Sequence, residues 1–236
     1  MNKGIIVDIG FTEYHIAWEL QKVLHAERTA GRIPDVMLLT EHYHTYTIGK
    51  SGSEDHLLAS AEELVDKGVS VYKVDRGGDI TYHGPGQLVA YPIFDLNKFE
   101  PDVHKYIRNL EEVVIRVLHS YGINATRDPD YTGVWIGEDK ICAIGIKVSR
   151  WVTMHGFAFN VNTDLSYFER IIPCGIFHRG VTSLSNILGK EIDMKQVKSV
   201  LLDEFSEVFK VEFVSSELNE FLDRFHINME KEHASY

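Results

Sequence analysis

Two cysteines are the first candidates for chemistry in this sequence. Cys142 lies in the apolar run 141–146, which predicts a buried strand, where a free cysteine usually acts as a small hydrophobic side chain. Cys174 lies in a Pro-Cys-Gly turn that can present a side chain to a cleft. The pattern favours Cys174 as a nucleophile but leaves Cys142 open, because Lys140 and Cys142 share one face of a regular strand.

The segment Arg76 to Gln87 has the composition of a shaped binding loop. It is rich in glycine and is bracketed by two predicted strands. Glycine lets backbone N–H groups approach a ligand closely, and Arg76 adds a charge. Thr81 and His83 add hydrogen-bonding groups at alternate positions of a short extended piece. The glycine spacing fits neither a Walker loop nor a dinucleotide fingerprint, so a ligand loop and a decorated hairpin turn are the two interpretations.

Length and charge limit the classes of function. The chain has 236 residues and a formal net charge of -11, which favours one large domain and argues against nonspecific nucleic-acid binding. No apolar stretch approaches the roughly 18 residues of a membrane span, and the apolar run near the N-terminus is too short for a signal peptide. We therefore expect a monomeric cytoplasmic protein with no nucleic-acid or membrane partner. His42 and His44 lack further ligands at metal-site spacing, and we expect no metal ion and no cofactor.

Hydrophobic periodicity predicts three long helices among groups of short strands. The first helix spans 12–30, with Thr12 as its cap and Ile16 in its buried stripe, and the others span 101–121 and begin near Asp193. The predicted strands are 36–39, 45–48, 69–74, 88–94, 134–136, 141–148 and 152–160. This order indicates an α/β (α+β) class with a mixed sheet flanked by helices. We expect one domain over residues 1–236, with 215–236 as a candidate C-terminal appendage.

Several motifs occur together in one order over residues 35–190. They are Leu38-Leu-Thr-Glu-His42, Tyr46-Thr-Ile-Gly49, the loop 76–87, Lys140-Ile-Cys-Ala-Ile-Gly-Ile146, His155-Gly-Phe-Ala-Phe-Asn-Val-Asn-Thr-Asp-Leu165 and Pro173-Cys174-Gly175. Together they resemble the lipoyl(octanoyl) transferase family. One departure is Ile172, which stands where that family often has asparagine before Pro-Cys-Gly, so a polar contact from that side chain is in doubt.

The resemblance implies a fold, a reaction and a site. The implied fold is that of the biotin and lipoate protein ligase catalytic domain. The implied reaction moves octanoyl from acyl carrier protein to a lysine of a lipoyl domain, in the 2-oxoacid dehydrogenase E2 subunits or the glycine cleavage H protein. Cys174 would be the nucleophile that carries the acyl thioester, and Lys140 would lower its pKa or transfer protons. The implied substrate-binding residues are Arg76, Gly77, Gly78, Asp79, Ile80, Thr81, Tyr82, His83, Ala143, Ile144, Gly145, Gly156, Phe157 and Ala158.

The chemistry of acyl transfer suits such residues. Passing an acyl group from a thioester to an amine is downhill, and an acyl-cysteine lets the donor leave before the acceptor arrives. An isolated cysteine, with a pKa near ~8.5, is mostly protonated at neutral pH. The nearby lysine could stabilise the thiolate as an ammonium or shuttle the proton as an amine, and the sequence leaves both roles open.

Four other functions compete with this interpretation. An ATP-dependent lipoate or biotin ligase shares the fold but needs no Cys174, and an amidotransferase that passes octanoyl between lipoyl domains is chemically close. A noncatalytic carrier-binding module and a cysteine hydrolase with His178 as base are the others.

An acidic carrier would also need a local basic patch, for which the candidates are Arg28, Arg32, Lys50, Lys73, Lys147 and Arg150.

Overall fold

A mixed sheet runs through the molecule. The computed structural model describes residues 2–172 and 179–229. Within them the strands are β1 (Asn2–Thr12), β2 (Asp35–His42), β3 (Thr45–Ile48), β4 (Ser70–Lys73), β5 (Ile80–His83), β6 (Gln87–Ile93), β7 (Thr126–Arg127), β8 (Val134–Ile136), β9 (Asp139–Ser149), β10 (Val152–Asn160), β11 (Gly180–Val181) and β12 (Val211–Ser215). The large sheet has the order β12-β1-β2-β6-β10-β9-β8-β7, with β11 beside β9, and β4-β3-β5 form a smaller sheet.

Helices cover both faces of the large sheet. They are α1 (Tyr14–Thr29), α2 (Ala61–Asp66), α3 (Val103–Ser120), α4 (Leu184–Leu188), α5 (Met194–Phe209) and α6 (Leu218–Arg224). Buried side chains of α3 and α5 pack on one face, and those of α1 and α6 pack on the other. The predicted mixed sheet flanked by helices is therefore confirmed. No helix in the described ranges is both long and apolar enough to cross a membrane.

The start of the chain differs from the prediction. Residues 2–12 form a strand, β1, which pairs in parallel with β2 and β12. The first helix begins only at Tyr14, and the Thr12 hydroxyl donates to the carbonyl of Ile9 instead of capping it. Ile16 is 51% exposed, so its predicted place in the buried stripe is wrong. The strand comes before the helix because its apolar residues fill the sheet between two neighbours.

The other long helices lie close to their predicted positions. Asp102 and Asp193 cap α3 and α5, each by accepting a backbone N–H hydrogen bond. Near the C-terminus, Phe221 of α6 is fully buried in the cluster that α1 forms with the sheet. Residues 215–229 therefore add a buried side chain to the cluster between α1 and the sheet.

A buried ion pair ties α1 to the sheet. Arg28 Nε donates to Asp35 Oδ1 at 2.7 Å, and the two side chains are 4% and 0% exposed. The backbone N–H of Asp95 also donates to Asp35 Oδ1. Arg28 is thus a structural residue, and its proposed place in a basic docking patch is wrong.

Replacing Arg28 with alanine should strongly destabilise the fold. The change leaves the Asp35 carboxylate buried without its counterion, which costs about 3–5 kcal/mol. Arg32→Ala is the matched control, because Arg32 is 61% exposed and its pair with Glu27 is screened by solvent. Urea unfolding measures the loss of unfolding free energy in both variants. Equal losses of unfolding free energy in the two variants would contradict the structural role of Arg28.

Candidate active site

A cavity of about 420 Å³ lies between the loop after β4 and the strands β9 and β10. Its floor contains two cross-strand pairs of small residues, Ala143 with Ala158 and Gly145 with Gly156. These small residues leave room above the sheet for a slender apolar ligand. The loop 76–81 and strand β5 close the cavity from above.

The structure brings most of the predicted site residues together at this cavity. Those that line it are Arg76, Gly77, Gly78, Asp79, Ile80, Thr81, His83, Lys140, Ala143, Ile144, Gly145, Gly156, Phe157 and Ala158. Tyr82 is the exception. Its side chain is buried in the core of the small sheet, where its hydroxyl lies 2.7 Å from His44 Nδ1.

Arg76 organises the loop that covers the cavity. Its guanidinium is nearly buried and donates to the carbonyls of Thr47, Gly77 and Asp79 at 2.7–3.0 Å. These bonds fold the loop around the positive charge. Asp79 fixes the far end of the loop, since its carboxylate accepts hydrogen bonds from the N–H of Ile80 and from His56 Nδ1.

Gly145 allows this loop to lie directly on the floor. A Cβ at position 145 would lie 2.9 Å from the carbonyl oxygen of Gly77 and 3.1 Å from Arg76 Cδ. The Gly77 N–H donates to the carbonyl of Ile146 at 2.8 Å, which joins the loop to β9. That N–H is therefore occupied by the fold and is not a donor for a developing oxyanion.

His83 is a neutral, fully bonded side chain. Gln87 Nε2 donates to the Tyr82 carbonyl and to Asn160 Oδ1, so Gln87 Oε1 accepts from His83 Nδ1 at 2.9 Å. The other ring nitrogen, Nε2, lies 3.3 Å from the Thr47 hydroxyl. Burial, with His42 and Arg76 nearby, holds the pKa of His83 well below its usual value. His83 therefore shapes the cavity wall as an uncharged ring.

The wall behind His83 is aromatic and was missed by sequence reasoning. Tyr14 stacks on the His83 ring at 5.5 Å, and Tyr91 donates its hydroxyl proton to His42 Nε2, because His42 Nδ1 donates to the Thr12 carbonyl. The other lining residues that were missed are Gln87, Val89, Ile107, Asp130, Tyr131, Thr132, Ile146, His155, Asn160, Phe168 and Val181. His155, Asn160 and Gln87 lie inside the motifs quoted above, so only their roles went unrecognised.

His155 joins the cavity to a charged cluster. Its Nε2 lies 2.7 Å from Asp75 Oδ1, and Asp75 Oδ2 lies 2.5 Å from Lys147 Nζ. These partners hold the pKa of Asp75 far below its usual value. His155 has a positive φ of 59°, which is costly for a residue with a side chain and here turns the ring towards Asp75. Lys147 is thereby engaged internally instead of serving a docking surface.

Lys140 lies at the cavity because of a bulge in β9. Trp135 pairs with Lys140, and Val134 pairs with Cys142, so β9 has one extra residue between these pairs. A bulge interrupts the alternation of sides, and the expectation that Lys140 and Cys142 share a face is wrong. The Lys140 ammonium lies over the Trp135 ring, 4.7 Å from its centroid. Gly133 leaves room for the lysine stem, whose Cε would be 3.3 Å from a Cβ there.

Cys142 is a core residue. Its side chain is 0% exposed within the main hydrophobic cluster, and burial raises the pKa of its thiol far above the usual value. A thiol in this state is a poor nucleophile.

The other predicted residue, Cys174, lies outside the described residues. The described residues on either side lie near the cavity. Ile172 donates its N–H to the carbonyl of His56, and β11 pairs in parallel with β9, with Val181 opposite Lys140. Thr182 then donates its N–H to the carbonyl of Lys140 at 3.0 Å.

In the described part of the chain no group of three or more His, Cys, Asp or Glu residues could hold a metal ion.

Sequence comparisons place the chain among known proteins. Residues 13–206 match the model of the lipoyl protein ligase A/B catalytic domain. An octanoyltransferase of Christiangramia forsetii is 49% identical, with 90% of this chain and 98% of that protein covered. An octanoyltransferase of Rubrobacter xylanophilus is 52% identical, with 84% and 90% covered.

Structural comparisons agree on the fold. The crystal structure of lipoate-protein ligase A bound with ATP matches with a TM-score of 0.77 at 16% identity, covering 99% of this chain and 97% of that chain. A biotin protein ligase from Aquifex aeolicus, in complex with biotin and ATP, matches with a TM-score of 0.52 at 17% identity, covering 89% and 71%. At such identities these matches show the fold alone.

The buried histidines should make stability fall in mild acid. Burial lowers the pKa of His42 to about 4, whereas the unfolded value is near ~6.5. Because the unfolded chain binds the proton first, the stabilisation is complete above pH ~6.5 and is lost as the pH falls towards ~4, at a cost of about 3 kcal/mol. His83 and His155 shift in the same direction.

Urea unfolding across this pH range measures the effect. His42→Gln should flatten the slope, since glutamine keeps a donor and an acceptor but does not titrate. His104→Gln, at an exposed helix position, should leave the slope unchanged. A wild-type stability that stays constant between pH ~6.5 and ~4 would contradict the neutral state of the buried rings.

Proposed function

The chain belongs to the octanoyltransferases of the lipoyl protein ligase A/B catalytic-domain family, and from that premise we propose that it passes the octanoyl group through Cys174. It is an acyltransferase that transfers octanoyl in lipoate attachment, from an acyl donor to a lipoyl domain. The proposal adds the covalent intermediate on Cys174 and the identities of the donor and the acceptors. Octanoyl-acyl carrier protein is the donor, and lipoyl domains of 2-oxoacid dehydrogenase E2 subunits and the glycine cleavage H protein are the acceptors.

The route has two balanced steps. The Cys174 thiol gives its proton to Lys140 or solvent, and the thiolate attacks the thioester carbonyl carbon of the donor. The C–S bond to the carrier breaks, and the carrier thiolate leaves and takes up that proton. The acceptor lysine loses one proton to become a neutral amine and attacks the octanoyl-cysteine; the C–S bond to Cys174 breaks, the Cys174 thiolate leaves, and the nitrogen gives its second proton to Lys140 or solvent as the amide forms. Neither step needs an oxidant, a metal or ATP.

The position of Lys140 is the observation that carries the proposal. Its side chain reaches the cavity, and the strand β11, which begins six residues after Cys174, pairs beside it. The alternative cysteine, Cys142, is sealed in the core. The burial of Cys142 supports Cys174 as the nucleophile, and in this route Lys140 can favour its thiolate or take its proton.

The cavity is suited to a medium acyl chain. The floor formed by Ala143, Ala158 and Gly145 is made of small residues, and the neutral rings of Tyr14 and His83 and several aliphatic side chains contribute to the walls. Each CH₂ group removed from water adds about 0.8 kcal/mol of binding free energy. Tyr82 supports the proposed acyl-binding lining from the core of the small sheet. The other residues of that lining are Arg76, Gly77, Gly78, Asp79, Ile80, Thr81, His83, Ile144, Gly156 and Phe157.

An ATP-dependent ligase is the main alternative, because lipoate ligases share the fold. A ligase would activate a free acid as an adenylate and would not need Cys174. The two activities separate by substrate, since the transferase uses an octanoyl thioester without ATP and is inactive with octanoate plus ATP.

The acyl-cysteine should be detectable by mass spectrometry. Mixing the protein with octanoyl-acyl carrier protein should add one octanoyl group, which hydroxylamine removes. Cys174→Ser should abolish the adduct, whereas the matched variant Cys142→Ser should keep it because that thiol is buried. An adduct that survives in Cys174→Ser but disappears in Cys142→Ser would refute the assignment.

Two substitutions separate the roles of Lys140. Lys140→Met removes both charge and base, and should slow octanoyl transfer roughly 10²–10⁴-fold. Lys140→Arg keeps a cation that cannot take a proton at neutral pH. Recovery of acylation in Lys140→Arg would show that the charge suffices for that step, and continued slow transfer to the lipoyl domain would show that the acceptor needs the base. Unchanged rates in both variants would remove Lys140 from the mechanism.

A further inference from the structure

The open side of the cavity carries a carboxylate that neither the fold nor acyl binding uses. Asp130, Tyr131 and Thr132 line the cavity together with Lys140. Asp130 and Thr132 are exposed, whereas His83 on the inner wall is 6% exposed. The turn that contains Asp130 therefore forms part of the cavity mouth.

This turn is held in a fixed shape. Asp128 Oδ1 accepts hydrogen bonds from the N–H groups of Asp130 and Tyr131, at 2.8 and 3.0 Å. Asp128 Oδ2 accepts from Arg179 Nη1 at 2.6 Å, and the guanidinium lies over the Tyr131 ring, 5.5 Å from its centroid. Asp130 is thus presented from a preorganised turn.

The carboxylate of Asp130 has no partner within residues 2–172 and 179–229. The other acidic residue of the lining, Asp79, differs because its two oxygens accept from His56 and the Ile80 N–H. Asp130 is consequently available to a molecule that enters the mouth.

The two substrates present different charges to this mouth. The reacting lysine of the acceptor is a cation at neutral pH, with an ordinary pKa near ~10.4. It must approach a cavity that already contains the cation Arg76 and the Lys140 side chain, which also repels it when protonated. The thioester of the donor is neutral at its reacting end. A carboxylate at the mouth therefore attracts the ammonium of the acceptor lysine and exerts no net electrostatic force on the neutral acyl group.

We propose that Asp130 receives the ε-ammonium of the acceptor lysine at the cavity mouth, which makes it a determinant of acceptor binding. The inference rests on the octanoyl transfer described above and adds a residue for the second substrate. Asp130 guides the ammonium past the positive charge of Arg76, and solvent, or Lys140 in its neutral amine form, takes the proton before attack.

Steady-state octanoyl transfer to a purified lipoyl domain tests the proposal. Asp130→Asn should raise the KM for the lipoyl domain roughly 1.5- to fivefold, the range of an exposed ion pair, without changing kcat or the KM for octanoyl-acyl carrier protein. Asp130→Glu should restore the KM, and Asp130→Lys should raise it further. The difference between variant and wild type should shrink in ~1 M salt, where the Debye length is about 3 Å.

Asp139→Asn is the matched control. Asp139 is an exposed carboxylate next to Lys140 in sequence that does not line the cavity, so its neutralisation should leave the acceptor KM unchanged. An acceptor KM that is equal in Asp130→Asn, Asp130→Lys and wild type would overturn the inference about Asp130 and leave the proposed function standing. A wild-type enzyme that leaves the lipoyl domain unmodified with the thioester donor would overturn the proposed function as well.

Discussion

The buried guanidinium of Arg76 is the interaction on which the cavity depends. A cation removed from water needs acceptors, and Arg76 finds them in backbone carbonyls from β3 and from its own loop. Satisfying the charge therefore folds the loop and attaches it to the small sheet. The loop then lies on β9 only because Gly145 has no side chain. The buried charge of Arg76 and the absence of a side chain at Gly145 together determine how closely the loop approaches β9.

The polar wall around this cation remains neutral for the same reason. Burial lowers the pKa of both His42 and His83, and for His83 the nearby charge of Arg76 adds to this effect. Each ring then has one donor and one acceptor nitrogen, which matches the partners Gln87 and Thr47 for His83, and Thr12 and Tyr91 for His42. An apolar acyl chain can lie against such a wall because its polar groups are already bonded to one another.

The sequence predicted the fold class, the long helices and most of the cavity lining, because these follow from periodicity and from motifs. It did not predict β1, since a short apolar run can be a strand or part of a helix until its sheet neighbours are known. It also assigned Lys140 and Cys142 to one face, because a bulge cannot be seen in strand alternation. Asp130, Tyr14 and Tyr91 were missed because only the chain path brings them to the cavity.

If the donor is an acidic acyl carrier protein, as we propose, local charges rather than the net charge govern how this acidic chain meets it. Most of the basic residues considered for docking are committed to partners within the chain: Arg28 to Asp35, Arg32 to Glu27, Lys73 to Glu54 and Lys147 to Asp75. At physiological ionic strength the Debye length is about 8 Å, so the net charge of -11 repels a partner only weakly until surfaces are close. Lys50 is exposed, and its N–H donates to the carbonyl of Arg76, so it lies beside the loop that covers the cavity. The carrier of the proposed route, if it delivers its acyl chain under that loop, would meet this cation at short range, where the attraction is least screened.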